Sequence, residues 1–413
     1  MNTLNDLPRH DNNKFDLNEI ARNLVEDLLN EVMSIQADEL CEILGTTRNG
    51  YRDRGLTASI GEITLHVPKL REGTYFPDDI VEKWSRTDTA LAATICEMWV
   101  CGVSNRKVEK AVNNLGVEKM SRSKVSRLCK FLDEDIQSLR KCDLSDYKWP
   151  YLWLDATYFP CRSSEVVKST ALVVAIAANE DAKRQVIGMS YFDTENYLDW
   201  RDFLESLRQR GLNGVKLVTS DEHAGLVKAI NEIMIGASHQ RCIAHLEKNV
   251  CNRIKKKNIG AAAIGALKIA FQETEPQLVK AGFEKAISLL DKYDKKGAEL
   301  LEQAEPFALA YLSFPKEHAR WIRTNNITER LNCEIKRRAN VVQVFPSTIS
   351  MMRLAGAICC DYNDKWLIEK NFMYKRSLQN LQKQEYQLLE NSENIRLIER
   401  SVEEKFESIR KAA

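Results

Sequence analysis

YLWLDATYFPCR, residues 151–162, decides the fold. It is a run of aromatic and aliphatic side chains of strand length, yet it carries an acidic residue, Asp155, near its middle. Two more β-rich runs follow, STALVVAIAANED (169–181) and RQVIGMSYFD (184–193), separated by turn-length polar segments as in a meander. NYLDWRDFLESLRQRGL (196–212) reads as a helix with Leu198, Phe203, Leu204 and Leu207 as candidate core positions. GVKLVTSD (214–221) is a fourth, short strand, and a helix begins near Glu222. Three strands, a helix, a strand and a helix predict an α/β domain built on one mixed sheet.

Outward from this core the pattern turns helical. Residues 245–330 hold no good strand and are rich in Ala, Leu, Lys and Glu, a helical block placed before the sheet domain is finished. The tail from Asp361 is charge-rich and helical. On the amino-terminal side, residues 17–44 carry Leu24, Leu28, Val32 and Ile35 as an expected core stripe, stopped by Gly45. Ile60, Ile63, Leu65 and Val67, set among Thr, Gly and Pro, predict a small β-hairpin, with a structural linker as the alternative. Residues 88–134 predict three helices. The first shows Leu91, Ile95, Met98 and Trp99 and ends at Gly102; the second starts at Ser104 and shows Val108, Val112 and Leu115; Gly116 ends it. In the third, from Ser121, the residues Val125, Leu128, Cys129 and Leu132 share one arc. Arg122, Lys124, Arg127 and Lys130 lie opposite, with Ser123 and Ser126. Two helices joined by a short Gly-containing turn, the second of them basic, fit a DNA-binding helix-turn-helix; a plain charged bundle is the alternative.

The chain has 413 residues, enough for two or three domains, with 44% hydrophobic and 29% charged residues, a globular balance. No stretch of about 18 apolar residues is present, and the amino terminus has no apolar signal core, so a cytoplasmic protein is expected. The 11 cysteines include no C-x-x-C pair. This argues against a disulfide framework and against a complete zinc finger. Net charge is +1, but the charge is clustered. Between Cys101 and Phe131 eight basic residues face two acidic ones, and Arg241–Lys257 and Arg320–Arg338 are further basic runs.

An aspartate inside an apolar strand is costly unless it is paired, hydrogen-bonded or bound to a metal. Asp221 ends another strand, where ligands gather in open α/β sheets. Two strand-end carboxylates suggest a hard-cation site, although Asp221 could equally cap the helix that follows. The segment NNITERLNCEIKRR (325–338) is the third element. On a helix, Glu329, Asn332 and Lys336 share a face, offering a carboxylate, an amide and a cation. Lys336, Arg337 and Arg338 could hold a DNA backbone.

GYRDRG, HVPKLREGTYFP, GVSNRKVEKAV, WLDATYF, SDEHAGL, QRCIAHLEKN and RTNNITERLNCEIKRR followed by VFP occur in that order. In these motifs the chain resembles the Mutator-like, or IS256-family, bacterial insertion-sequence transposases. The resemblance implies an α/β fold with an RNase H-like mixed-sheet catalytic core, interrupted by an all-helical insertion and preceded by an N-terminal helix-turn-helix region. The implied domains are 1–86 (helix and hairpin), 87–147 (three-helix DNA-binding region), 148–245 (first part of the core), 246–318 (insertion), 319–360 (final core helix) and 361–413 (helical tail). It implies a catalytic, metal-binding triad of Asp155, Asp221 and Glu329. Thr328 replaces the apolar residue that family members often have before the glutamate, so Glu334 is the competing carboxylate. His223 and the pair Cys242 and His245 also match family motifs, without an assigned role. The latter pair alone is half a zinc site. Three converging carboxylates repel one another, which two Mg²⁺ ions, or Mn²⁺ in their place, would relieve. Implied partners are double-stranded DNA, as terminal inverted repeats and target, and further copies of the chain. No membrane is implied, and nucleoid association would accompany DNA binding. Alternatives are an inactive DNA-binding descendant and a nuclease without strand transfer.

Overall fold

The structure, a computed structural model, describes residues 8–9, 14–58, 60–77, 80, 89–114, 121–163, 166–379, 381 and 392–412. The chain divides into two compact units, residues 1–133 with 338–342, and residues 134–337 with 343–413.

In the first unit, α1 (Leu17–Leu44) opens at Asp16, whose carboxylate accepts from the Glu19 N–H at 3.0 Å. It closes at Gly45, whose φ of +65° suits a residue without a Cβ. The hairpin reading holds: β1 (Arg48–Ala58) pairs antiparallel with β2 (Gly61–Leu70). The stripe assigned to α1 does not. Leu24, Leu28 and Ile35 are 64, 58 and 53 % exposed, whereas Met33 and Ala37 are fully buried. Met33, with Val25 and Leu29 beside it, packs on Leu56, Ile63, Leu65 and Val67 of the hairpin. Apolar residues occupy two arcs of this helix, and the hairpin takes the one that periodicity did not favour.

Three further helices follow: α2 (Thr89–Val100), α3 (Asn105–Asn114) and α4 (Arg122–Leu128). They share a core of Leu91, Ile95, Val108, Val112, Val125, Leu128 and Cys129, with Met98, Trp99 and Leu132 packed against it, as the pattern predicts. Gly102 follows α2 at φ +84°. Leu115 and Gly116 lie outside the described residues. The expected third helix is broken by a 3₁₀ turn at Cys129–Phe131 before α5 (Leu132–Lys141).

The second unit is built on five strands: β3 (Tyr151–Ser163), β4 (Val166–Ala178), β5 (Arg184–Phe192), β6 (Leu217–Ser220) and β7 (Ser238–Arg241). Their order is β5-β4-β3-β6-β7. The first three are antiparallel neighbours, and β3, β6 and β7 are parallel. The fifth strand, SHQR, was not legible in the sequence. α6 (Tyr197–Gln209) and α7 (Ala224–Ile233) supply Trp200, Phe203, Leu204, Leu207, Leu226 and Ile230 to a core with Leu152, Leu154, Val173 and Val218. Leu198, expected in that core, is 55 % exposed, and Trp200 takes the buried place.

The helical block contains α8 (Ile243–Arg253), α9 (Lys257–Gln272), α10 (Pro276–Asp291) and α11 (Lys295–Ala308). The short α12 (Ala319–Ile322) leads into α13 (Asn326–Ala339), followed by α14 (Thr348–Ile368) and α15 (Lys375–Gln379). The last helix, α16 (Ser392–Ala412), packs on α9 and α10. Val402 and Phe406 are fully buried, the Phe406 ring stacks on Tyr293, and Lys285 pairs with Glu403 at 3.4 Å. The end of the tail thus completes the helical block. Among the described residues no helix is long and apolar enough to cross a membrane.

Candidate active site

The parallel register of β3 and β6 runs from Tyr151 opposite Leu217 to Trp153 opposite Thr219. Two residues further on, the same register brings Asp155 level with Asp221, both at the carboxyl side of the pairing. Burial pushes the Asp155 pKa up to about 6. His245 and a hydrogen bond from Asn332 oppose that rise, while the charges of Asp221 and Glu329 add to it. Asn332 Nδ2 donates to Asp155 Oδ2 at 2.8 Å.

Glu329 sits in the first turn of α13, where a carboxylate suits the helix dipole. Thr328 before it is fully buried, and its hydroxyl donates to the Asn325 carbonyl at 2.8 Å, so the unexpected polar residue is satisfied. Glu334, the competing carboxylate, is held by Arg337 through two contacts of 2.7 Å.

The peptide entering α13 is bonded to both strand ends. Trp153 Nε1 donates to the Trp321 carbonyl at 3.1 Å and Thr219 Oγ1 to that of Ile322 at 2.6 Å. Ile243 N–H donates to the Arg323 carbonyl at 3.1 Å, and Asn325 Nδ2 to that of Leu154 at 2.8 Å. Asn325 N–H reaches Cys242 Sγ at 3.2 Å. Five contacts therefore position the helix that carries Glu329 and Asn332.

Asp221 Oδ1 accepts from the His223 N–H at 3.1 Å, a turn that fixes the carboxylate. His223, rather than Asp221, caps α7: its Nδ1 accepts from the Leu226 N–H at 3.4 Å. Gly225 permits the close approach of α6, since a Cβ there would meet Tyr197 N at 2.8 Å.

Several polar residues escaped the sequence reading. Glu195, with its side chain 10 % exposed, lies 3.6 Å from His223 Nδ1. It accepts from the Tyr158 hydroxyl at 2.6 Å and from Trp200 Nε1 at 3.0 Å. Burial, Glu195 and the charge of Asp221 push the Tyr158 pKa up to about 12. Arg241, buried in β7, pairs with Glu222. Tyr158 stands three residues from Asp155 and Asn325 opens the third motif, so proximity in sequence was a usable signal for both. Glu195 offered none.

Cys242 and His245 stand at the N-cap and third position of α8, on one face. His245 Nε2 is 3.8 Å from Glu329 Oε1. Its pKa is pushed up to about 9, first by the adjacent Cys242 sulfur, against the cost of burial, and also by Asp155 and Asp221.

Do these residues fit a hard cation? A half-buried carboxylate beside two others is a set that a divalent ion would relieve. The buried Oδ1 atoms of Asn332 and Asn325 have no hydrogen-bond partner and add neutral oxygen donors nearby. The donor set fits.

The basic candidates separate. Arg127, Lys130 and Lys336 are exposed. Arg337 is exposed and paired with Glu334. Lys124 Nζ donates to Thr57 Oγ1 at 3.0 Å, which ties α4 to the hairpin. Arg338 corrects the expectation of a backbone-holding cation: it is 8 % exposed and its Nη1 donates to the Val100 carbonyl at 2.7 Å. The side chain of Arg122 lies outside the described residues.

The family model for "Transposase, Mutator family" matches residues 3–369. The chain is 32% identical over 363 residues to the transposase for insertion sequence element IS1081 of Mycobacterium tuberculosis, covering 86% of this chain and 87% of that one. It is 34% identical over 360 residues to the transposase for insertion sequence element IS256 in transposon Tn4001 of Staphylococcus aureus, covering 84% and 91%. A third relative, the transposase for insertion sequence element IS406 of Burkholderia multivorans, is 35% identical over 331 residues, covering 79% and 84%.

Proposed function

The chain belongs to the Mutator family of transposases, and from that premise we propose that it cuts and joins DNA as a DDE enzyme at Asp155, Asp221 and Glu329. One observation carries the reading: the parallel register of β3 and β6 brings Asp155 level with Asp221, and Asn332, one turn from Glu329 on α13, donates to Asp155 at 2.8 Å. The β5-β4-β3-β6-β7 order, with the helical block between the second and third carboxylates, supports an RNase H-like core. The substrate is double-stranded DNA at the terminal inverted repeats of an insertion sequence, handled by more than one copy of the chain.

Asp155, Asp221 and Glu329 would hold one or two Mg²⁺ ions, or Mn²⁺, which when bound neutralise the carboxylates and polarise a scissile phosphate. The chain's own residues do the positioning. Asn332 sets the Asp155 rotamer, and the turn at His223 sets that of Asp221. Tyr158, hydrogen-bonded to Glu195, and His223, 3.6 Å from the same carboxylate, give this side of the site a polar wall. Lys336, two turns beyond Glu329 and exposed, offers a cation to a phosphate backbone. Arg127 and Lys130, exposed on and after α4, do the same for repeat binding.

The test uses purified protein, Mg²⁺ and labelled DNA from the two flanks of the coding region. The parent protein cleaves and joins the ends. Asp155→Asn and Glu329→Gln lose at least about 1,000-fold in both steps, as expected for charge stabilisation at the reacting phosphate, while still binding the ends. Equal rates in parent and variants remove the assignment. Arg127→Ala with Lys130→Ala lowers end affinity and flattens its salt dependence.

A further inference from the structure

We propose that Cys242, His245 and Glu329 form a site for one borderline-soft divalent cation of the Zn²⁺ type, chemically unlike the hard-cation set around Asp155 and Asp221. One ligand atom from each of the three, a sulfur, a ring nitrogen and a carboxylate oxygen, lie within 4.8 Å of one another. Thiolate and imidazole donors select zinc-like ions, whereas Mg²⁺ takes oxygens.

The donors are held before any ion arrives. Cys242 occupies the N-cap of α8, but its side chain makes no capping hydrogen bond, so the sulfur is not spent on the helix. Instead Sγ accepts the Asn325 N–H at 3.2 Å, the kind of outer donor that steadies metal-bound thiolates. His245 lies on the same face three residues on. Its buried Nδ1 meets no hydrogen-bond partner of good geometry, and its Nε2 is 3.8 Å from Glu329 Oε1. The peptide leading to Glu329 is tied to the start of α8 by the Ile243 N–H to Arg323 carbonyl bond of 3.1 Å. Three protein donors leave a fourth position for water or a substrate oxygen.

The site has a consequence that rests on the reading of Glu329 as the third catalytic carboxylate. An ion held by Cys242 and His245 draws Glu329 away from the hard-cation set, so Zn²⁺ opposes the Mg²⁺-dependent reaction.

Titration of the metal-free full chain with Co²⁺ tests the site, because cobalt reports a thiolate ligand through a sulfur-to-metal absorption band. One equivalent produces the band, Zn²⁺ displaces it, and excess Mg²⁺ does not. Cys242→Ser abolishes the band and weakens Zn²⁺ binding by about 100-fold or more. Since Cys242 is buried, His245→Gln and Glu329→Gln serve as independent variants and weaken Zn²⁺ binding comparably. Cys333→Ser, at an exposed position, changes nothing. Absence of the band at one equivalent, or its survival in Cys242→Ser, overturns the proposal. In a separate arm, one equivalent of Zn²⁺ lowers the Mg²⁺-dependent cleavage rate at least 10-fold. A cobalt site without that inhibition keeps the metal site and removes Glu329 from the catalytic set.

Discussion

The hydrogen bond from Asn332 Nδ2 to Asp155 Oδ2, 2.8 Å long, orients the carboxylate carried by β3. Asn332→Ala leaves that carboxylate free to turn. It lowers the strand-cleavage rate by about 10–100-fold, the usual effect of losing an outer-shell partner, with little change in melting temperature. Single-turnover cleavage kinetics beside a thermal melt check both halves. Outside the triad, His318 is fully buried with its Nδ1 2.8 Å from the Tyr151 hydroxyl. Burial lowers its pKa to about 4. Its folded pKa lies below the unfolded value of about 6.5, so folding favours the neutral ring. Its contribution is therefore whole above that value and is lost as pH falls from about 6.5 to about 4, in total about 3 kcal/mol. His318→Gln flattens this part of the stability curve, measured by urea unfolding at a series of pH values. Residues of both kinds differ in what the sequence discloses. Asp155 stands out because an acid interrupts an apolar strand. Glu195 does not, because an acidic residue just ahead of a helix is commonplace, and only folding surrounds it with Tyr158, Trp200 and His223.

Among the elements, α1 shows how periodicity can choose the wrong face. Leu24, Leu28 and Ile35 form a stripe as regular as the one around Met33, and nothing local separates the two. The selection is made by β1 and β2, whose buried Leu56, Ile63, Leu65 and Val67 offer the complementary surface. Met33→Ala accordingly costs about 2–5 kcal/mol, while Leu28→Gln, at a 58 % exposed position, stays within about 0.5 kcal/mol. Chemical denaturation of the two variants distinguishes them. The strand β7 failed to show for a different reason: SHQR has no apolar signature, and its burial is a matter of place. Gln240 Nε2 donates to the Ala308 carbonyl and its Oε1 accepts the Tyr311 N–H, each at 2.8 Å, so the glutamine buried in this polar strand is satisfied at both ends of its amide. By contrast β3, β4 and β6 and the helices carrying Phe203 and Glu329 were legible, because their patterns are long and their punctuation clear.

At the scale of the molecule, a long helical excursion separates Asp221 from Glu329, yet the returning chain is fastened to β3, β6 and α8 through residues 321–325. The block beyond that fastening is closed on itself by α16, with Phe406 and Val402 buried against it. Thr274, in the turn between α9 and α10, is exposed. Four Gly and Ser residues inserted after Thr274 leave the cleavage rate within about 3-fold, since lengthening a surface loop adds little closure cost. An electrophoretic cleavage time course checks this. The tail expected to be helical at 361–413 carries the end of α14, α15 and α16, but nothing in its sequence reveals which helices it will cover. A re-entry seam of this kind also bears on descent: lineages can vary the surface turns of the excursion, as long as the peptides of the seam, and those at Ala308 and Tyr311 that satisfy Gln240, are inherited together with the acids they hold in place.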